Sequence, residues 1–321
     1  MAGELRFDQF MHRALHDPER GYYSRRIPAI GRRGDFTTAP MLSTALARAI
    51  AAWATRALRE SGCRDLIEIG PGQGTLAAAV WHHLPWSLRW RTRLHLVETS
   101  APLTLRQQQT LGRRARWHPH PLAALSACNG RAVIFSNELV DAFAVRRFQL
   151  TDTGWRELAL ALAPPQPPRE ILLPPAPLPP SSSFRHPHPP GQWIEVHEAY
   201  RQWLGEWLPA WHTGRMLTID YGSAAPTLYH RRPHGTLRGY LLHQRVEGPD
   251  CYQNPGRQDL TSDVNFTDLT DWSAPWTSSA TLAPLHQFLR PFIDATSPTD
   301  QALLDDAGAG GAFQVLDQAA G

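Results

Sequence analysis

Lysine is absent from this chain: all 32 basic residues are arginine, set against 29 acidic ones for a formal charge of +3. No Lys/Arg block of the kind that marks a nucleic-acid patch interrupts the sequence, so nucleic acid is not an expected partner. Arginine, alanine, proline and glycine are abundant together, as in a GC-rich genome. The pI near 9.0 follows because arginine stays protonated where lysine begins to titrate. Cysteine is scarce too. Cys63, Cys128 and Cys251 are odd in number and far apart, which excludes a disulfide framework and a CxxC metal site and favours a reducing compartment. No uninterrupted apolar run is long enough to cross a bilayer, so membrane insertion is not expected. The opening Met-Ala-Gly-Glu-Leu-Arg-Phe-Asp lacks the apolar stretch of a signal peptide, and a cytoplasmic location is the expectation. Histidine is plentiful at 15, but no HExxH pair is present and no metal is expected. No internal repeat is apparent.

What is present is a globular composition, 42% hydrophobic and 19% charged, in 321 residues. That is enough for one large α/β domain or a domain with a lobe. Helical spacing runs over about 5–16 and over 41–58. Strands are then predicted at 65–69 and 93–97, weakly near 116–117, and at 131–136, with helices from Thr75 and over about 102–111 between them. Strands alternating with helices at this spacing predict a doubly wound, mostly parallel sheet. A hairpin is expected over 145–162 with Asp152-Thr153-Gly154 as its turn. Residues 163–192, rich in proline and serine, read as an extended or flexible loop. A short strand over 193–196, a helix over 198–208, a strand over 216–222 ending in an acid and a last strand near 313–316 follow; 269–292 has no clear period. The organisation expected is an N-terminal helical segment (1–60), a first part of the core (61–162), the Pro-rich loop (163–192) and the remainder of the core with inserted elements (193–321).

The densest chemical signal is Glu68-Ile69-Gly70-Pro71-Gly72-Gln73-Gly74-Thr75. An apolar strand enters glycines at alternate positions and leaves into a helix, so backbone N–H groups and space are offered to a ligand. Glu98 closes the next apolar run, Leu94 to Val97, where an acid can accept from both hydroxyls of a ribose. A dinucleotide fingerprint needs glycine at 75; Thr75 stands there instead. GxGxG with Glu68 before it and Glu98 after it is more typical of an S-adenosylmethionine (SAM) site, the plainer alternative being an ordinary βα turn whose glycines serve packing only. Glu68, Gly70, Gly72, Gly74 and Glu98 are therefore the candidate cofactor residues. A nicotinamide dehydrogenase is disfavoured by Thr75.

Ordered segments along nearly the whole chain resemble the MidA-like family of SAM-dependent methyltransferases, relatives of the mitochondrial complex I assembly factor with protein-arginine methyltransferase activity. They are Phe7-Asp8-Gln9-Phe10-Met11, Asp17 to Tyr23, Gly34-Asp35-Phe36-Thr37-Thr38-Ala39-Pro40, Glu68 to Leu76 and Val97-Glu98-Thr99-Ser100. Further on come Ser136-Asn137-Glu138-Leu139-Val140-Asp141-Ala142-Phe143, Ile219-Asp220-Tyr221-Gly222, Gly235 to Tyr240 with His243, Asn254-Pro255-Gly256, Asp259 to Phe266 and Gly311 to Leu316. Two positions depart from the family pattern, Met41 and Ala144; both bear on the substrate pocket and leave the cofactor motif intact.

The resemblance implies a class I methyltransferase core with an N-terminal helical segment and inserted substrate-lobe elements. It also implies SAM as cofactor, a bacterial cytoplasmic setting, and a protein substrate of the respiratory-complex-subunit type whose arginine accepts the methyl. A guanidinium is held by carboxylates that match its planar donor fork. Asn137, Glu138 and Asp141, just past the strand ending near 136, are candidates to bind and orient it; Glu138 as a helix brace is the plainer alternative. Asp220 is a candidate second carboxylate or a buried ion-pair partner, and His243 a candidate base. Asp35 and Thr38 are candidates to close over the methionine end of the cofactor, with Thr38 as a helix cap the competing reading. A non-catalytic assembly or binding protein that keeps the fold is the alternative function.

Overall fold

Residues 65–69 are apolar at nearly every position and buried at all of them, which marks a strand covered on both faces of a sheet. The computed structural model describes residues 3–25, 44–163, 166–241, 244–306 and 308–321. Within it the strands β1 (Asp65–Ile69), β2 (Arg93–Val97), β3 (Ala115–His118), β4 (Val133–Asn137), β5 (Arg215–Ser223), β6 (Thr277–Pro284) and β7 (Phe313–Ala320) form a sheet in the order β3-β2-β1-β4-β5-β7-β6. β1 to β5 are mutually parallel, whereas β7 runs antiparallel to both β5 and β6. The strand order reverses beside β1, with β2 on one side and β4 on the other. In an open α/β sheet, ligands bind outside the carboxyl ends of the strands at that place.

The chain divides into two compact units that interleave along the sequence. One comprises 37–139, 203–221 and 270–321; the other comprises 1–36, 140–202 and 222–269. This differs from the linear segmentation at 60, 162 and 192, because the stretch from Val140 onward leaves the parallel sheet after β4 and returns only for β5.

In the first unit, α1 (Thr44–Ser61) buries an alanine-rich stripe with Ile50, Trp53 and Leu58 against β-strand residues Leu66, Leu94, Phe135 and Leu217. Small side chains let the helix approach the sheet closely. Truncating a buried aromatic such as Phe135 in this core costs about 3–5 kcal/mol. The unreadable stretch 269–292 contains β6, whose pattern lacks alternation because it is an edge strand with mostly exposed or half-buried residues.

In the second unit, Arg146–Thr151 and Gly154–Leu162 form the expected hairpin, pairing Thr151 with Gly154 across the turn. Gly3–Arg6 adds a strand that the sequence did not announce, antiparallel to the far half of the same hairpin arm. Phe7, Phe10 and Met11 of the helix Phe7–His16 pack with Leu158, Leu160 and Tyr252 into that unit's core. Ala144, one of the two departures, belongs to this core, so its effect is on packing.

Most of the described Pro-rich stretch is irregular, as expected, but it is anchored. Arg169–Leu172 is a strand paired with 158–161, and Ser182 and Ser183 are buried. The Asp268 carboxylate accepts from Ser181 Oγ, Ser182 N–H and Ser182 Oγ at 2.6 Å each. Proline removes periodicity from the sequence without removing the anchor. Strand β4 also ends one residue later than expected, which places Asn137 in the strand itself.

Candidate cofactor and acceptor site

The glycine turn is built as its residues require. Gly70 N–H donates to the Val97 carbonyl at 3.1 Å, locking the carboxyl ends of β1 and β2 together. Gly74 caps α2 (Thr75–His83) in the left-handed conformation, and a Cβ there would meet Gln107 Cγ at 3.1 Å. Gly72 differs: its φ is +53°, and nothing among the described residues lies within 4 Å of where a Cβ would stand. Only glycine takes that backbone angle without strain, and the open space lies where a ligand's approach to the backbone needs it.

Glu98, at the end of β2, is half-buried. It accepts from Ser100 N–H at 2.7 Å and from Gln107 Nε2 at 3.1 Å. Burial pushes its carboxyl up, and these donors work against that. Gln107, on α3 (Ala101–Leu111), is fully buried and also donates to the Gly72 carbonyl at 2.7 Å, while its Oε1 accepts from Trp117 Nε1 at 3.0 Å. One side chain thus joins the glycine turn to the acid of the next strand. Sequence reasoning missed it, since a glutamine 35 residues after its glycine partner carries no local signal.

Glu68 is buried beneath the turn, its carboxyl raised to about 8 by burial, with one N–H donor, Ala77 of α2, working the other way. Its Oε2 has no hydrogen-bond partner among the described residues. This geometry makes Glu68 a brace between strand end and helix start. The open space at Gly72 and the half-exposed carboxylate at Glu98 fit a nucleoside with a free ribose edge.

On the other side of the crossover, Glu138 N–H donates to the Ile219 carbonyl at 2.9 Å, which sets the end of β4 against β5. Glu138 holds φ at +52°, a left-handed conformation that costs a non-glycine residue about 1–2 kcal/mol. Its Oε1 accepts from Asn137 Nδ2 at 3.1 Å, while Asn137 Oδ1 is buried and has no partner among the described residues. Asp220 is fully buried on β5 and accepts from Tyr221 N–H at 2.9 Å. The plain helix-brace reading of Glu138 does not describe this strained, paired side chain, and no helix starts there.

Glu68, the three glycines, Glu98, Asn137, Glu138 and Asp220 therefore share one unit and the carboxyl ends of β1, β2, β4 and β5. Asp141 belongs to the other unit, where it accepts from Thr261 Oγ1 at 3.2 Å, near Tyr23, whose hydroxyl donates to Asp259. Asp35, Thr38, Met41 and His243 lie outside the described residues.

A second polar cluster, invisible in the spacing, lies among Asp65, His95 and Cys128, whose candidate ligand atoms all stand within 4.8 Å of one another. Asp65 and His95 already have partners: Arg93 grips both Asp65 oxygens at 2.6 Å, and His95 lies 2.9 Å from Asp65 Oδ1 through Nε2 and 2.9 Å from His118 Nε2 through Nδ1. Burial would raise the Asp65 carboxyl, but His95 and Arg93 hold it at about 2. Parallel register places Asp65 opposite Arg93, two residues from His95, at the amino ends of β1 and β2, away from the glycine turn.

The family described as "Putative S-adenosyl-L-methionine-dependent methyltransferase" matches residues 46–282. The mitochondrial protein arginine methyltransferase NDUFAF7 of Rattus norvegicus is 28% identical over 341 residues, covering 95% of this chain and 74% of that protein. Its counterpart in Danio rerio is 27% identical, covering 83% and 68%. Among solved structures, a COG1565 superfamily member from Burkholderia thailandensis bound to S-adenosyl-homocysteine superposes with a TM-score of 0.82 at 24% identity, covering 99% of this chain and 88% of that one. That likeness speaks to the fold, which is the α/β fold of class I methyltransferases.

Proposed function

The chain belongs to the family of SAM-dependent methyltransferases whose pattern spans most of it, and from that premise we propose that it methylates an arginine guanidinium of a protein partner. The observation that carries the finer reading is the Asn137–Glu138 pair, held at the carboxyl end of β4 with a strained backbone and a buried carbonyl oxygen that has no partner among the described residues. Strain of this kind persists where surrounding structure holds it for a task. The names of the relatives add support for an arginine acceptor.

SAM supplies an electrophilic methyl on a sulfonium. Residues of this chain do the rest by position. Gly72 leaves room at the turn, Glu98 offers carboxylate lone pairs to ribose hydroxyls, and Gln107 fixes Glu98 against the turn. Glu138 presents a carboxylate to the guanidinium N–H fork, and Asn137 Oδ1 is a further acceptor for those N–H groups. Both orient a nitrogen for in-line attack, and the Glu138 charge offsets the approach of one cation to another. Asp220 and His243 are assigned supporting parts, as carboxylate and base, and Asp141 a part in substrate binding. Asp35 and Thr38 complete the cofactor assignment.

The acceptor protein we propose is a subunit of a respiratory-type complex, and the setting a reducing cytoplasm; three free, buried thiols support the latter. The test is incubation with methyl-labelled SAM and a cell lysate beside a Gly72→Val variant. Label on a protein band that the variant loses supports the reading. SAM binding without any labelled product favours a non-catalytic assembly protein instead.

A further inference from the structure

Between Glu68 and Glu98 the chain has no acidic residue at all. The loop that joins α2 to β2 lies in that interval and carries a single helical turn, Trp86–Arg89. Trp90 N–H donates to the Trp86 carbonyl at 3.2 Å, so the turn runs on through Trp90. Residues four apart then share a face. Leu84, before the turn, and Thr92, after it, are buried, and Leu88 within it is half-buried, so this side of the segment faces inward. Trp86 and Trp90 point the other way and are 71% and 85% exposed, far above any other large apolar side chain of the described residues except Leu105 at 61%.

Two large aromatic rings standing in water beside Arg89 and Arg91 are not explained by packing, since both are exposed to solvent over most of their surface. Scattered exposed apolar residues are ordinary; a paired, outward tryptophan face with only positive neighbours in sequence is not. Tryptophan's apolar ring with its N–H edge settles at the headgroup level of a bilayer, and arginine pairs with lipid phosphate. The turn is far too short to span, so it can only lie at the surface.

We propose that the Trp86–Trp90 turn docks this protein on an anionic bilayer surface, with both rings at the headgroup level and Arg89 and Arg91 on lipid phosphates. An acidic protein partner would meet the same charges, but a protein hot spot is a ring seated in a pocket with a surrounding rim, whereas this face protrudes. The inference is independent of which molecule accepts the methyl group.

Co-sedimentation of the full chain with phosphatidylcholine vesicles, with and without phosphatidylglycerol, tests it. The protein should pellet with the anionic vesicles and not with the neutral ones, and raised salt should release it. A Trp86→Ser/Trp90→Ser double variant should lose at least about tenfold in partitioning. Arg89→Gln/Arg91→Gln should lose a similar amount, each arginine near such a surface being worth about fivefold. Both variants should keep the wild-type melting temperature and SAM affinity, since Trp86, Trp90 and Arg91 are exposed and Arg89 is only half-buried. Failure to pellet with anionic vesicles, equal pelleting with neutral ones, or a wild-type dimer that the Trp variant converts to monomer would overturn the proposal.

Discussion

Gln107 Nε2 lies 3.1 Å from Glu98 Oε2 and, through the same nitrogen, 2.7 Å from the Gly72 carbonyl. Glu98 and the glycine turn are thus one rigid assembly, because a single buried amide satisfies both. Gln107→Leu leaves the Gly72 carbonyl and the Trp117 N–H unpaired and should destabilise the fold by about 1–3 kcal/mol. It should also weaken SAM binding by about tenfold or more by calorimetry. Gln107→Glu should be worse at neutral pH, since it sets a second carboxylate against Glu98. Unchanged affinity in both variants contradicts the linkage.

Gly72→Val should abolish SAM binding while leaving a folded protein. The substitution strains a left-handed φ by about 1–2 kcal/mol and fills the space that stands open beside the turn. Thermal unfolding and calorimetry on the same sample separate these effects; a variant that binds SAM with wild-type affinity refutes the assignment of that space.

The Glu68 carboxyl sits at about 8 in the folded chain against an ordinary 4.5. Between those values the folded state holds a proton that the unfolded state has lost, so stability falls as pH rises from 4.5 to about 8 and levels off above. The slope contributed by this one group is at most about 1.4 kcal/mol per pH unit. Glu68→Gln should flatten that stretch of the profile and be the more stable protein above it. Urea unfolding across the pH range checks this, and identical slopes for the two proteins contradict it.

Glu138→Gly separates function from stability. Removing the strained φ should leave the fold neutral to about 1 kcal/mol more stable, while methyl transfer is lost. Ordinary loss of a brace would instead lower the melting temperature together with activity.

Strands 65–69 and 93–97, the glycine turn and the acid at Glu98 were legible because each is encoded within a few residues: apolar run, glycine spacing, terminal acid. What escaped depends on distance along the chain. Gln107 is assigned by partners at Gly72 and Trp117, and the Pro-rich stretch by an aspartate 86 residues beyond Ser182. The left-handed φ of Glu138 has no local signal, since glutamate is not a residue that prefers it; the pairing of β4 with β5 imposes it. The division into two units was hidden for the same reason, because residues 140–202 and 222–269 fold with the chain's first residues rather than with the sheet.

The most direct test of the central claim is the chemical identity of the transferred methyl. Protein from a lysate treated with methyl-labelled SAM and this protein is hydrolysed to amino acids, beside a Glu138→Gln reaction matched for SAM binding. The account predicts label in methylarginine with wild type and at least a hundredfold less with Glu138→Gln, about 2.7 kcal/mol of lost transition-state stabilisation. Label in any other amino acid, or undiminished methylarginine from the variant, contradicts it.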